Sequence, residues 1–212
     1  MTKSINKNSN LPILYTFRRC PYAMRSRLAI ELCSINIEYR EILLRDKPQS
    51  MLEASPKGTV PVLAVNTEII IDESLDIMFW CLNQNDPSQL LSSDILDSAK
   101  ELIKTNDHQF KSQLDKYKYA VRFPEQSVES YRDNCEFFLI NLESLLNKNK
   151  FLLSGKLGLA DIAIFPFVRQ FAFVDKAWFD STKYKCLQKW LNYHLESELF
   201  KRVMLKRDVW TC

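Results

Sequence analysis

Between residues 11 and 73 apolar positions alternate with polar ones or run in short blocks, and from there on they recur every three or four positions. The first region holds four strand-length runs, "LPILYTF", "IEYREILL", "VPVLAV" and "EIIID", punctuated by Pro48, Pro56, Gly58 and Pro61. The helical stretches between them predict the order β-α-β-α-β-β, followed by a helix from Ser74. Only Asn66 and Thr67 join the last two runs, which predicts a tight antiparallel hairpin, although threonine suits a turn with positive φ poorly. "NQNDPSQLLSSD" then breaks the pattern with turn formers. Beyond it, "EQSVESYRDNCEFFLINLESLLNK" puts Val128, Tyr131, Phe138, Leu142 and Leu145 on one helix face. "CLQKWLNYHLESELF" does the same with Leu187, Trp190, Leu191, Leu195 and Leu199. The expected organisation is a polar tail over 1–10, a mixed α/β domain over 11–85, a linker over 86–94 and an all-helical domain over 95–212.

Composition adds limits to this picture. With 212 residues, 46% of them apolar, the chain can bury one substantial core or two small ones. The opening "MTKSINKNSNLP" lacks the apolar centre of a secretory signal, and the longest apolar stretch, "LADIAIFPFVRQFAF", is cut by Asp161 and Arg169. Neither export nor membrane insertion is expected. A net charge of +3 gives no reason to expect nucleic acid or an anionic membrane as partner. Six cysteines at uneven spacing, with no CxxC pair, read as reduced thiols and point to a cytoplasmic setting. His108 and His194 have no companions at ligand spacing, so no metal is expected.

The candidate chemistry centres on "RRCPYAMRSR". Cys20 precedes Pro21 at a helix start, where backbone N–H groups are unpaired and the helix dipole is positive. Arg18, Arg19 and Arg25 add charge, so the thiol is expected to ionise below its ordinary value of about 8.5. Cys33, Cys81, Cys135 and Cys186 sit within helical patterns and read as fillers, while Cys212 ends a tail.

"LYTFRRCPYAMRSR", "DKP", "SPKGTVPVL" and "DES", in that order and spacing, resemble a cytosolic glutathione transferase of the omega or omega-like type, and the resemblance spans nearly the whole chain. It implies an α/β thioredoxin-like domain followed by an all-α domain, with glutathione as co-substrate on the first and a second substrate in the cleft between them. By this resemblance Cys20 is catalytic. Val60 and Pro61 form a cis-proline turn that pairs with the tripeptide as an added strand, Glu73 and Ser74 open a helix onto its γ-glutamyl carboxylate, and Lys47 holds its glycyl carboxylate. Taken without the resemblance, Pro61 is a strand-start proline, Ser74 a plain helix cap and Lys47 a solvated lysine. Ala23 stands where dithiol sites carry a second cysteine, so the expected chemistry is monothiol. Cys20 forms a mixed disulfide with glutathione, and the substrates are small-molecule or protein disulfides and dehydroascorbate. Tyr15 lies within the first strand pattern and reads as core.

In "FKSQLDKYKYAVRF" and beyond it, Phe110, Tyr117 and Trp178 are candidates to line the second-substrate pocket, the alternative being core. Gly158 replaces the hydroxyl residue of the family's capping box, leaving Asp161 with half a reciprocal pair. In "LDIMFWCL" the residues Met78, Phe79, Trp80 and Leu82 exceed one buried stripe, and the family forms two-fold dimers, so a homodimer is expected, with that surface meeting a helix near Ile95 of its partner. A rival reading is a non-catalytic binding or regulatory module of the same fold, as the stringent starvation protein is.

Overall fold

The computed structural model describes residues 11–91 and 93–211. Four strands, β1 (Ile13–Thr16), β2 (Glu38–Glu41), β3 (Val62–Ala64) and β4 (Ile70–Ile71), form one sheet in the order β2-β1-β3-β4. β1 and β2 are parallel, joined by the crossover helix α1 (Pro21–Leu32). β3 runs antiparallel to both β1 and β4. The helix α2 (Gln49–Ala54) precedes β3, and α3 (Ser74–Gln84) follows β4. The side-chain period of two divides the sheet residues between two cores. Leu14 and Leu63 enter the large cluster shared with the helical domain, whereas Tyr15 and Val62 join Met51 of α2 in a small one on the opposite face. Tyr15 is core, as its strand position predicts.

The hairpin is looser than a two-residue turn. Val65 N–H bonds to Ile69 C=O, and the Asn66 carboxamide accepts the N–H groups of Glu68 and Ile69 at 2.9 and 2.8 Å. An Asx-type loop thus replaces the positive-φ turn that Thr67 would have resisted.

The second half contains α4 (Ser93–Thr105), a π-helical turn (Asn106–Phe110), α5 (Lys111–Lys118), α6 (Val128–Asp133), α7 (Glu136–Lys148) and α8 (Leu159–Ala172), followed by α9 (Lys176–Ser181), α10 (Lys185–Glu196) and α11 (Glu198–Val203). The two long helices expected from periodicity are each split, at 134–135 and at Ser197. Val128 is consequently exposed, while Tyr131, Phe138 and Leu142 remain buried. α8 is buried nearly all round and forms the centre of the bundle, which accounts for its long apolar run. Asp161 sits inside that bundle and accepts the N–H groups of Gly158 and Leu152, each at 3.0 Å, and Trp190 Nε1–H at 2.7 Å. One carboxylate therefore caps the helix and ties it to a loop and to α10, although Gly158 has no side chain to return the bond.

Helix α1 is the seam, packing on α3 within its own domain and on α8 and α11 of the helical one. Met78 and Leu82 of α3 are buried, and Phe79 and Trp80 are half-buried against the same core. Lys100 of α4 lies 5.9 Å from the Phe79 ring, so part of that side of α3 is covered within the chain. Among the described residues no helix is long and apolar enough to cross a membrane. The expected tail over 1–10 and Cys212 lie outside the described residues.

Candidate functional site

Strand β1 delivers the chain to a three-residue loop, and Cys20 caps α1 in extended conformation, with Pro21 as the first helical residue. Its N–H bonds to Phe17 C=O at 3.0 Å, and its own carbonyl accepts from Met24. The sulfur donates to Val60 C=O at 3.6 Å, and the Val60–Pro61 bond is cis. A single buried guanidinium fixes the loop. Arg27 donates to Thr16 Oγ1, to the carbonyls of Phe17 and Arg18 at 3.3 and 2.7 Å, and to Val203 C=O at 3.2 Å. From the other side the Glu41 carboxylate accepts the Arg18 N–H at 2.7 Å.

Electrostatics at the sulfur differ from expectation. Burial pushes the Cys20 thiol above its ordinary value, and the N–H groups of Ala23 and Tyr22 and the charges of Arg27 and Lys111 pull it down only in part. Arg25, counted from sequence as a thiolate-stabilising charge, is committed elsewhere. Its buried guanidinium forms a two-pronged pair with Asp107 at 2.8 and 2.6 Å, donates to Ala163 C=O at 2.9 Å and reaches Ser74 Oγ at 3.3 Å.

The residues expected around glutathione follow one another from Ser74 back to Cys20, partly through contacts and partly as chain neighbours. Ser74 is the first residue of α3 and is buried, with its hydroxyl facing Arg25. Glu73 precedes it and pairs with Lys57 at 2.7 Å, and Lys57 also reaches Asp72 at 2.9 Å. Gly58, next to Lys57, has φ of 61°, and a Cβ there would meet the exposed Lys47 amine at 3.6 Å. Two residues further on, Val60 touches Cys20. Sequence reasoning missed Lys57, whose signal was its place inside "SPKGTVPVL", and Arg27, which nothing in the local pattern of α1 sets apart.

Beside Cys20 a cleft of about 790 Å³ separates the two halves. Cys20, Pro21 and Tyr22 form one wall, and the end of α5, with Lys118 and Tyr119, forms another alongside Arg169 and Phe173 at the end of α8. The candidates Phe110 and Tyr117 are not on it. Both are fully buried, with their rings 5.9 and 5.2 Å from Phe171 of α8. Trp178 also packs against Phe171, under Arg132 at 4.4 Å, and does not line this cleft. The helical period explains the correction: positions 110, 114 and 117 turn to the core, so 111, 115 and 118 turn to the cleft.

Residues 14–89 match the model for the glutathione S-transferase N-terminal domain, and residues 126–192 match that for the glutathione S-transferase C-terminal domain. The chain is 28% identical over 200 residues to probable glutathione S-transferase parA of Nicotiana tabacum, spanning 90% of this chain and 87% of the relative. It is 25% identical over 186 residues to glutaredoxin 2 of Escherichia coli K12, spanning 76% and 85%. In three dimensions it is similar to glutathione transferase Omega 3C from Trametes versicolor, with a TM-score of 0.77 at 19% identity over 93% of this chain and 85% of that one. The two domain matches together take in more than half of the sequence, in the order the fold displays, and the chain belongs to the glutathione S-transferase family.

Proposed function

We propose that the protein is an omega-like, cysteine-type glutathione transferase that reduces mixed disulfides through Cys20 alone. The observation that carries this reading is that Cys20 lines the cleft with its sulfur against Val60 C=O, with buried Ala23 in the second-thiol position. Other described thiols lie elsewhere, Cys33, Cys81 and Cys135 in the large core and Cys186 beside Asn147. Glutathione lies on the domain formed by residues 11–85. The Val60 backbone takes the tripeptide as an added strand, Ser74 and the first amides of α3 hold the γ-glutamyl carboxylate, and Lys47 meets the glycyl carboxylate. Loss of the thiol proton frees Val60 C=O from the sulfur.

The thiolate then attacks the glutathione sulfur of a mixed disulfide. A Cys20–glutathione disulfide forms as the substrate S–S bond breaks, and the substrate leaves as a thiolate that takes a proton from water. A free glutathione thiolate attacks that adduct next, regenerating Cys20 and leaving glutathione disulfide. The net reaction converts one mixed disulfide and one thiol into one thiol and one disulfide. Dehydroascorbate is reduced by the same sulfur with two glutathiones. The working form is a homodimer in a reducing, cytoplasmic setting.

The upward push on the Cys20 thiol favours a second reading, a binding module that holds glutathione without turning it over. Intact mass after incubation with glutathione disulfide separates the two. The thioltransferase gains one glutathione in the wild type and none in Cys20→Ser, which also loses activity on a small mixed disulfide. Full activity in Cys20→Ser overturns the proposal, and binding without any adduct favours the module. Sedimentation equilibrium at micromolar concentration tests the dimer, and the mass of one 24.9 kDa chain would refute it.

A further inference from the structure

The cleft beside Cys20 carries more positive charge than its own carboxylate balances. Of the charged residues on its walls, Lys111 and Asp115 pair with each other one turn apart on α5. Arg19, Lys118 and Arg169 are left over, and no ion pair holds any of them among the described residues. Arg19 and Lys118 are exposed and can be neutralised by solvent ions. Arg169 is different. It is half-buried, its Nε is shut off from solvent with no hydrogen-bond partner, and its guanidinium lies 5.0 Å from the Phe173 ring and 5.6 Å from that of Phe200. Burial and the nearby Arg18 both lower its hold on the proton, and no acid restores it. The adjoining Gln170, also on the cleft, has its Oε1 buried without a partner. A guanidinium drawn partly out of water without a counter-ion is costly, and an anion arriving in the cleft relieves that cost.

We propose that the cleft selects substrates whose leaving thiol carries a carboxylate, with Arg169 as the specificity-determining residue, Arg19 and Lys118 as outer charges, and Tyr119 and Phe173 as apolar walls. This rests on the glutathione reading of Cys20, since the sulfur of bound glutathione sets where the leaving group projects. Guanidinium suits the role because its planar fork meets a carboxylate through two parallel hydrogen bonds. The aromatic rings that flank Arg169 restrict its swing, so less freedom is lost on binding.

Thioether derivatives of glutathione cannot exchange with Cys20, so they report binding in the unaltered protein. Calorimetry compares S-(2-carboxyethyl)-, S-(2-carbamoylethyl)- and S-(2-aminoethyl)glutathione, which match in size and differ in charge. The carboxylate derivative is expected to bind about tenfold more tightly than the carbamoyl one, with the amine weakest, and the gap to narrow in high salt. The carboxylate-to-carbamoyl ratio falls toward one in Arg169→Met and is only partly restored in Arg169→Lys, which keeps the charge but not the planar fork. Equal affinity for all three derivatives overturns this proposal and leaves the glutathione reading standing. A ratio unchanged in Arg169→Met overturns the assignment to Arg169. Failure of glutathione and every derivative to bind overturns both readings.

Discussion

The sulfur of Cys20 stands between opposing influences of similar reach. Helix amides and two cations favour the thiolate, and withdrawal from water favours the thiol; withdrawal is the largest of these. A raised pKa means less thiolate at a given pH, so the rate of alkylation keeps climbing past the ordinary thiol value instead of levelling below it. Iodoacetamide labelling followed at Cys20 by mass spectrometry is expected to inflect above about 8.5. Lys111→Met should move the inflection higher still, because Lys111 is one of the charges holding it down. An inflection below the ordinary value would show that the helix end prevails over burial. The local positions of Cys20, Pro61 and Ser74 were legible in the sequence because each belongs to a local pattern: a thiol before proline, a proline before a strand, a serine opening a helix. What each charged neighbour does was not legible, since Arg25 and Arg27 look alike along the chain. One is held by Asp107, 82 positions away, and the other by main-chain carbonyls of the site loop.

The π-helical turn between α4 and α5 explains how Asp107 comes to meet Arg25. One wider turn shifts the phase of the helix, so Asp107 faces α1 while Asn106 and Phe110 are buried. The Arg25 side chain is only 1% exposed, against 19% for Asp107, so removing the carboxylate strands a buried cation. Asp107→Ala should cost about 3–5 kcal/mol, read as a lower urea midpoint. The double replacement Arg25→Met, Asp107→Leu should recover much of that loss, because two apolar side chains leave no charge stranded. A cost under about 1 kcal/mol for Asp107→Ala would place the pair among the weak surface bridges. Periodicity could not reveal this turn, because a phase shift of one residue leaves an apolar stripe that still looks helical. The breaks at 134–135 and Ser197 were hidden for the same reason. Ser197 caps α11 by accepting the Phe200 N–H at 3.1 Å, inside an apolar pattern that runs on unbroken through Leu195, Leu199 and Phe200. Phe110 and Tyr117 were misplaced because the pattern identifies an apolar face without saying which neighbour covers it.

At the scale of the whole molecule, the end of the described chain returns to the first domain and covers its open edge. β2 is an outer strand, and its last residue receives a parallel bridge from Val209, with Trp210 N–H donating to Glu41 C=O at 2.8 Å. The Trp210 ring lies 4.2 Å from the Arg40 guanidinium and 6.3 Å, edge-on, from the Tyr15 ring. Arg40 is itself held by Glu38 at 2.6 Å and by the Tyr15 hydroxyl at 2.9 Å. Nothing in the sequence announced this, because "LKRDVWTC" has neither strand length nor alternation and becomes a strand partner only when the edge is beside it. Glu41 serves two purposes: its carbonyl anchors the tail, and its carboxylate holds the Arg18 amide two residues ahead of Cys20. Trp210→Ala removes the cation–π and edge contacts, together about 1–2 kcal/mol, without altering any residue of the cleft. The melting temperature should fall by about 3–6 °C for that loss in a chain of this size. Amide exchange at residue 210 should rise toward the unprotected rate as the tail lifts from β2, and exchange at Arg18 should rise with it if Glu41 is steadied by the tail. Faster exchange at 210 alone would confine the tail to edge protection, and an unchanged melting temperature with both amides still protected would mean that the ring contributes nothing to holding it there.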